Sequence, residues 1–77
     1  MRCILVTDNG CLASMTARNW ARGRNIEIVD VNEVPSVITL YGVVKFPTLL
    51  TIGDYGLVNG RVDGFNEGKY NDVLNDI

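Results

Sequence analysis

The chain has 77 residues, 47% of them hydrophobic and 21% charged, with a formal net charge of −2. That length makes one small domain, residues 1–77, whose core barely suffices for independent folding. The acidic balance argues against a nucleic-acid binder, the absence of histidine and of paired cysteine spacing leaves no protein-only zinc or transition-metal site, and two cysteines are too few for a disulfide-stapled secreted scaffold.

Residues 2 to 7 form an almost unbroken apolar run after Arg2, as expected of a strand covered on both faces in the centre of a sheet. One Arg and five apolar or near-apolar residues before Asp8 are too few for a signal-peptide core or a membrane span. A soluble, non-exported protein in a reducing, cytoplasmic setting is expected. Asp8-Asn9-Gly10 supplies turn chemistry, with Gly10 free to take positive φ or to let another group approach the backbone. A first helix is predicted from about Cys11 to Arg22, with Ala13, Ala17, Trp20 and Ala21 as its inward stripe and Gly23 where a C-terminal cap belongs. Cys11 therefore stands at a helix N-terminus, where unpaired N–H groups and the positive end of the helix dipole favour a thiolate. Arg18, Arg22 and Arg24 read as a solvated helix face, with partner docking as the alternative.

Ile26-Glu27-Ile28-Val29-Asp30-Val31 reads as a second strand, parallel to the first in a right-handed βαβ unit. Asn32 to Pro35 is a polar turn, and Ser36 to Tyr41 a short second helix closed by Gly42, weak in propensity because of its β-branched residues. Pro47 opens the strand Thr48-Leu49-Leu50-Thr51-Ile52, and Gly53 to Gly56 turns it into a hairpin with Leu57 to Asp63. Asn66-Glu67 caps a last helix that packs through Tyr70, Val73, Leu74 and Ile77. The order is βαβαββα.

Three passages, taken together, resemble the thioredoxin superfamily in its compact glutaredoxin-sized form, which includes the hydrogen-donor redoxins of ribonucleotide reductase. The first is the strand leading through Val6-Thr7-Asp8-Asn9-Gly10 into Cys11-Leu12-Ala13-Ser14, where that family carries Cys-x-x-Cys or Cys-x-x-Ser. The second is Tyr41 to Leu50, similar to the segment ending in the family's cis-proline and the strand after it. The third is Val62-Asp63-Gly64-Phe65-Asn66-Glu67-Gly68, similar to the glycine-containing step before the last helix.

The resemblance implies an α/β, thioredoxin-like fold with a four-stranded mixed sheet, three helices and a cis peptide between Phe46 and Pro47. It implies a catalytic pair, Cys11 and Ser14, and a substrate surface of Gly10, Leu12, Phe46, Pro47, Gly64 and Phe65. In dithiol members the first cysteine attacks a disulfide and the second resolves the mixed disulfide. Ser14 stands where the second sulfur would be, so its hydroxyl helps to hold a Cys11 thiolate but cannot displace a disulfide. Cys3, near the opposite end of a strand that advances about 3.3 Å per residue, cannot replace it and is expected to be a small buried core residue.

Any turnover would then need an external thiol, glutathione among the candidates, and no resident cofactor or metal. Iron–sulfur ligation of the monothiol glutaredoxin kind is disfavoured. Leu12-Ala13 replaces the Gly-Phe of that class, no Lys precedes Cys11 in its loop, and Asp63-Gly64-Phe65-Asn66 lacks the paired glycines and acidic pair used for glutathione. The expected protein is a monomer that meets a protein disulfide or mixed disulfide, with no nucleic-acid or membrane partner. A redox-inactive thioredoxin-fold binding module is the alternative, and the reactivity of Cys11 separates the two.

Overall fold

Successive strand side chains point to opposite faces, so Ile4, Leu5 and Val6 leave water together only if both faces of their strand are covered. The computed structural model, which describes residues 2–75, meets that demand by placing strand β1 (Arg2–Thr7) inside a four-stranded sheet of order β2-β1-β3-β4. Ile4 and Val6 join Val37, Val43, Leu50 and Ile52 on one face, while Leu5 joins Ala17, Ala21, Leu49, Val62 and Tyr70 on the other.

Strand β2 (Glu27–Asp30) runs parallel to β1, with Ile4 opposite Glu27 and Thr7 opposite Asp30. Helix α1 (Leu12–Ala21) makes the crossover that a parallel pair requires. After helix α2 (Ser36–Tyr41), strand β3 (Thr48–Ile52) returns antiparallel to β1, and strand β4 (Val58–Asp63) pairs antiparallel with β3. Helix α3 (Glu67–Asn75) closes the described chain. Element order and mixed sheet agree with the sequence expectation, although β2 is shorter than residues 26–31. Strand β4 starts one residue later than expected, and Asn59 is skipped in the ladder where Thr51 pairs with Gly60 and Ile52 with Val58.

Helix α1 buries Ser14, Ala17 and Ala21, with Trp20 half-buried and Ala13 exposed. The expected stripe is thus corrected at one position. A search for apolar spacing passes over Ser14, but its hydroxyl oxygen accepts the Asp8 N–H at 3.1 Å, which offsets the desolvation of a polar group. The ring of Trp20 meets Tyr70 edge-on at 5.2 Å, and Phe65 meets Tyr70 at 5.3 Å, so one aromatic trio joins α1 to α3.

On α3, Asn66 Oδ1 accepts the Lys69 N–H at 3.0 Å as a helix cap, and Val73 and Leu74 are half-buried against the sheet; Ile77 lies outside the described residues. Close packing here depends on Gly60. A Cβ at that position would stand 2.8 Å from Thr51 Oγ1 and 3.1 Å from Val73 Cγ1. The short α2 has one buried residue, Val37, and ends at Gly42 in the left-handed region. No described helix is long and apolar enough to cross a membrane.

Two other expectations are corrected. Arg18 is not a solvated member of an arginine face, because its Nη2 donates to Thr7 Oγ1 at 2.9 Å, Asp30 Oδ2 at 3.1 Å and Asn9 Oδ1 at 3.2 Å. Arg24 folds over Trp20, 4.3 Å from the ring centroid, and Arg22 is exposed. Cys3 is half-buried beside Arg2, Asn25 and Glu27 rather than a core residue. It sits at the sheet end where β1 begins, and that end is only partly covered.

Burial opposes the charge of Asp30, yet Asn32, the Thr7 hydroxyl and the Arg18 guanidinium hold its pKa below the ordinary carboxylate value. A depressed folded-state pKa contributes stability above the unfolded value, about 3.9, and loses it as pH falls through the folded one. Asp30→Asn should therefore lower the thermal midpoint near neutral pH, with the gap to wild type narrowing in circular-dichroism melts at acid pH, as the carboxylate takes up its proton. A gap of the same size at both pH values would remove the ionised carboxylate from the account.

Candidate functional site

The segment that delivers Cys11 is folded around Asp8. The Asp8 carbonyl accepts the Cys11 N–H at 3.0 Å, and its Oδ1 accepts the Gly10 N–H and the Asn32 side-chain amide, each at 3.2 Å. A short carboxylate bonding its own backbone two residues on is the usual way an Asp-Asn-Gly sequence closes a turn. Arg18 secures Asn9 in the same loop, so the turn is held from α1 and from the segment after β2.

Cys11 is the N-cap of α1, with extended backbone (φ −107°, ψ 123°), and is half-buried. As a thiol it donates to the Phe46 carbonyl oxygen at 3.7 Å. Its pKa is nevertheless drawn below the ordinary thiol value, first by the Ser14 backbone N–H and then by the Ser14 hydroxyl. Partial burial works against this, the Ala13 N–H adds to it, and the Asp8 carboxylate opposes it. The orphan N–H groups of the helix start thus favour the thiolate. Because Ser14 Oγ already accepts from Asp8, its own proton remains available to the sulfur.

Opposite Cys11 runs the loop before β3. The Phe46–Pro47 peptide bond is cis, Pro47 is buried, and Thr48 Oγ1 donates to Lys45 O at 2.7 Å. The Pro47 carbonyl accepts the Gly64 N–H at 2.7 Å, with Gly64 at φ 79°, a conformation that disfavours any side chain. Tyr70 then donates its hydroxyl to Gly64 O at 2.6 Å.

The structure therefore brings Gly10, Cys11 and Phe46 together, ties Pro47 to Gly64, and buries Ser14 behind the thiol. Leu12, next to Cys11 in the chain, is 78% exposed, and Met15 and Val44 are 54% and 76% exposed. Phe65 follows Gly64. Its half-buried ring makes edge contacts with Tyr70 and Trp20. Asp8, read from the sequence as a turn residue, holds that turn through its carbonyl, carboxylate and N–H, whereas the Tyr70 hydroxyl escapes the sequence reading. A tyrosine at a core position is itself a signal, since its buried O–H requires a partner.

Comparison with solved structures places this architecture. The crystal structure of a reduced Schistosoma mansoni thioredoxin pre-protein superposes with a TM-score of 0.69 at 20% sequence identity, over 97% of this chain and 78% of that one. The chain has a thioredoxin-like fold. No family model and no curated protein matches it. On this thioredoxin-like fold the helix following the first described strand begins at Cys11, and the antiparallel hairpin is entered through Pro47. Among the described residues no cluster of three or more His, Cys, Asp or Glu side chains is placed to hold a metal ion.

Burial raises the pKa of Cys3, whereas that of Cys11 is lowered. Iodoacetamide should therefore modify Cys11 well before Cys3 near neutral pH, with a midpoint below the free-thiol value of about 8.5, as followed by peptide mass spectrometry across a pH series. Ser14→Ala should move that midpoint upward. Equal rates at the two cysteines would contradict the assigned electrostatics.

Proposed function

We propose that the protein carries out thiol–disulfide exchange through Cys11 alone. The Cys11 thiolate attacks one sulfur of a disulfide R–S–S–R′, the S–S bond breaks, and R′S⁻ leaves as the Cys11–S–S–R bond forms. An external thiolate then attacks the mixed disulfide, takes R into a new disulfide and returns Cys11 as thiolate. Electrons balance without a metal or resident cofactor, and glutathione is a suitable external thiol of this chemistry.

The observation that carries this reading is the position of Cys11, a half-buried N-cap thiol with lowered pKa lying 3.7 Å from the carbonyl of Phe46 on a thioredoxin-like fold. In this reading Ser14 holds the thiolate by its N–H and hydroxyl, while Gly10, Leu12, Phe46, Pro47 and Gly64 border the incoming disulfide. The protein acts as a monomer on protein disulfides or mixed disulfides, in a reducing compartment such as the cytoplasm. A redox-inactive binding module is supported by one feature, the exposed apolar side chains of Leu12, Met15 and Val44 in a protein whose Cys11 is followed at position 14 by Ser rather than Cys.

Incubation with oxidised glutathione should load Cys11 and spare Cys3, as read by intact mass and peptide mapping, and added reduced glutathione should remove the adduct. Loading no faster than that of a free cysteine peptide would favour the binding module. Ser14→Cys should further convert the protein into a self-resolving dithiol, because positions three apart on a helix are neighbours. Dithiothreitol-coupled insulin reduction should be slight for wild type and clearly faster for the variant, since an intramolecular resolver acts at a far higher effective concentration. A folded variant with the internal disulfide and no gain would leave the surrounding surface unsuited to disulfide substrates.

A further inference from the structure

Tyr70 lies on α3, outside the loops that surround Cys11, and its side chain is fully buried at 0% exposure. A core position there needs only an apolar ring. The hydroxyl is nonetheless used, donating to Gly64 O at 2.6 Å, and the N–H of the same Gly64 donates to Pro47 O at 2.7 Å. Pro47 follows Phe46, whose carbonyl oxygen faces Cys11 Sγ at 3.7 Å. One short series of hydrogen bonds and one peptide link thus connect the hydrophobic core to the reacting sulfur.

We infer that Tyr70 is a positioning residue, whose hydroxyl pins the Gly64 loop to Pro47 and so fixes the Phe46 backbone against which a peptide disulfide aligns on Cys11. This rests on the exchange reaction proposed above. Gly64 has no side chain to anchor it and sits at φ 79°, so its carbonyl and N–H are its only means of attachment. Burial, with the Asp63 charge, pushes the Tyr70 phenol well above its ordinary value, so it remains a donor throughout the working pH range. The aromatic contacts with Trp20 and Phe65 fix the ring itself. The Cys11 thiolate is stabilised by Ser14 and Ala13, and the Phe46 carbonyl, an acceptor, can bond only the protonated thiol, so the reactive thiolate does not depend on where that carbonyl sits.

That independence gives the test. Tyr70→Phe keeps the ring and removes the hydroxyl, and should slow the reaction of Cys11 with a cystine-bridged peptide by about three- to tenfold, the worth of one hydrogen bond. The rate and pH midpoint of iodoacetamide alkylation at Cys11 should stay unchanged, and amide hydrogen exchange at Gly64 should quicken. Ile52→Val, a truncation in the core on the opposite face of the sheet, serves as the comparison. It should lower the melting temperature without changing the ratio of the peptide-disulfide rate to the alkylation rate. An unchanged ratio and unchanged Gly64 exchange in Tyr70→Phe would overturn the positioning role while leaving the exchange reaction in place. A wild-type protein that forms no mixed disulfide with the peptide would overturn both.

Discussion

The turn at Asp8 is the constraint on which the site depends. Strand β1 ends in the core and α1 must begin within a few residues, so the chain reverses with backbone groups that no ladder satisfies. The Asp8 carbonyl, carboxylate and N–H meet Cys11, Gly10 and Ser14 respectively, which converts an otherwise loose connection into a fixed one. Arg18 and Asn32 then brace the turn from two elements. With the turn fixed, the sulfur is presented at the helix start, and the stabilising N–H groups are already oriented before any charge develops. Preorganised donors of this kind act without reorganisation when a thiolate forms.

The same carboxylate opposes ionisation of Cys11 through its charge. Its geometric contribution and its electrostatic one therefore have opposite signs, and the helix-start donors prevail, since the pKa of Cys11 is lowered. Ser14 is the residue through which both effects run. Its hydroxyl accepts from the turn and also lowers the pKa of the thiol, so a single buried side chain serves the loop and the thiolate together.

The fold was legible in the sequence wherever one physical demand dominated a segment. The β1 run could be satisfied only by cover on two faces, and the glycines at positions 23 and 42 marked helix ends that the structure reproduces with positive φ. Legibility failed where polar groups were partnered across the fold. Ser14 looked polar and was left out of a stripe that it occupies; Arg18 looked solvated, although its acceptors are contributed by β1, the turn and β2. Cys11 was readable because its position, at the junction of a turn and a helix, carries its chemistry locally. The link from Tyr70 to Phe46 was not, because it runs through main-chain atoms of residues far apart in the chain.

Strand β4 forms one margin of the sheet, and among the described residues one side of its backbone has no partner strand. Such a margin, beside Tyr55 and Leu57 at 92% and 70% exposure, is a natural template on which identical chains could stack into fibrils. Asn59 breaks the regular spacing there, while Arg61 and Asp63 put an ion pair on the strand, and Arg61 also donates to the carbonyls of Tyr41 and Gly42 at the end of α2. A kinked, charged border resists in-register addition of further molecules. Arg61 therefore joins colloidal protection to helix capping, and losing it would expose the border and loosen α2 at once.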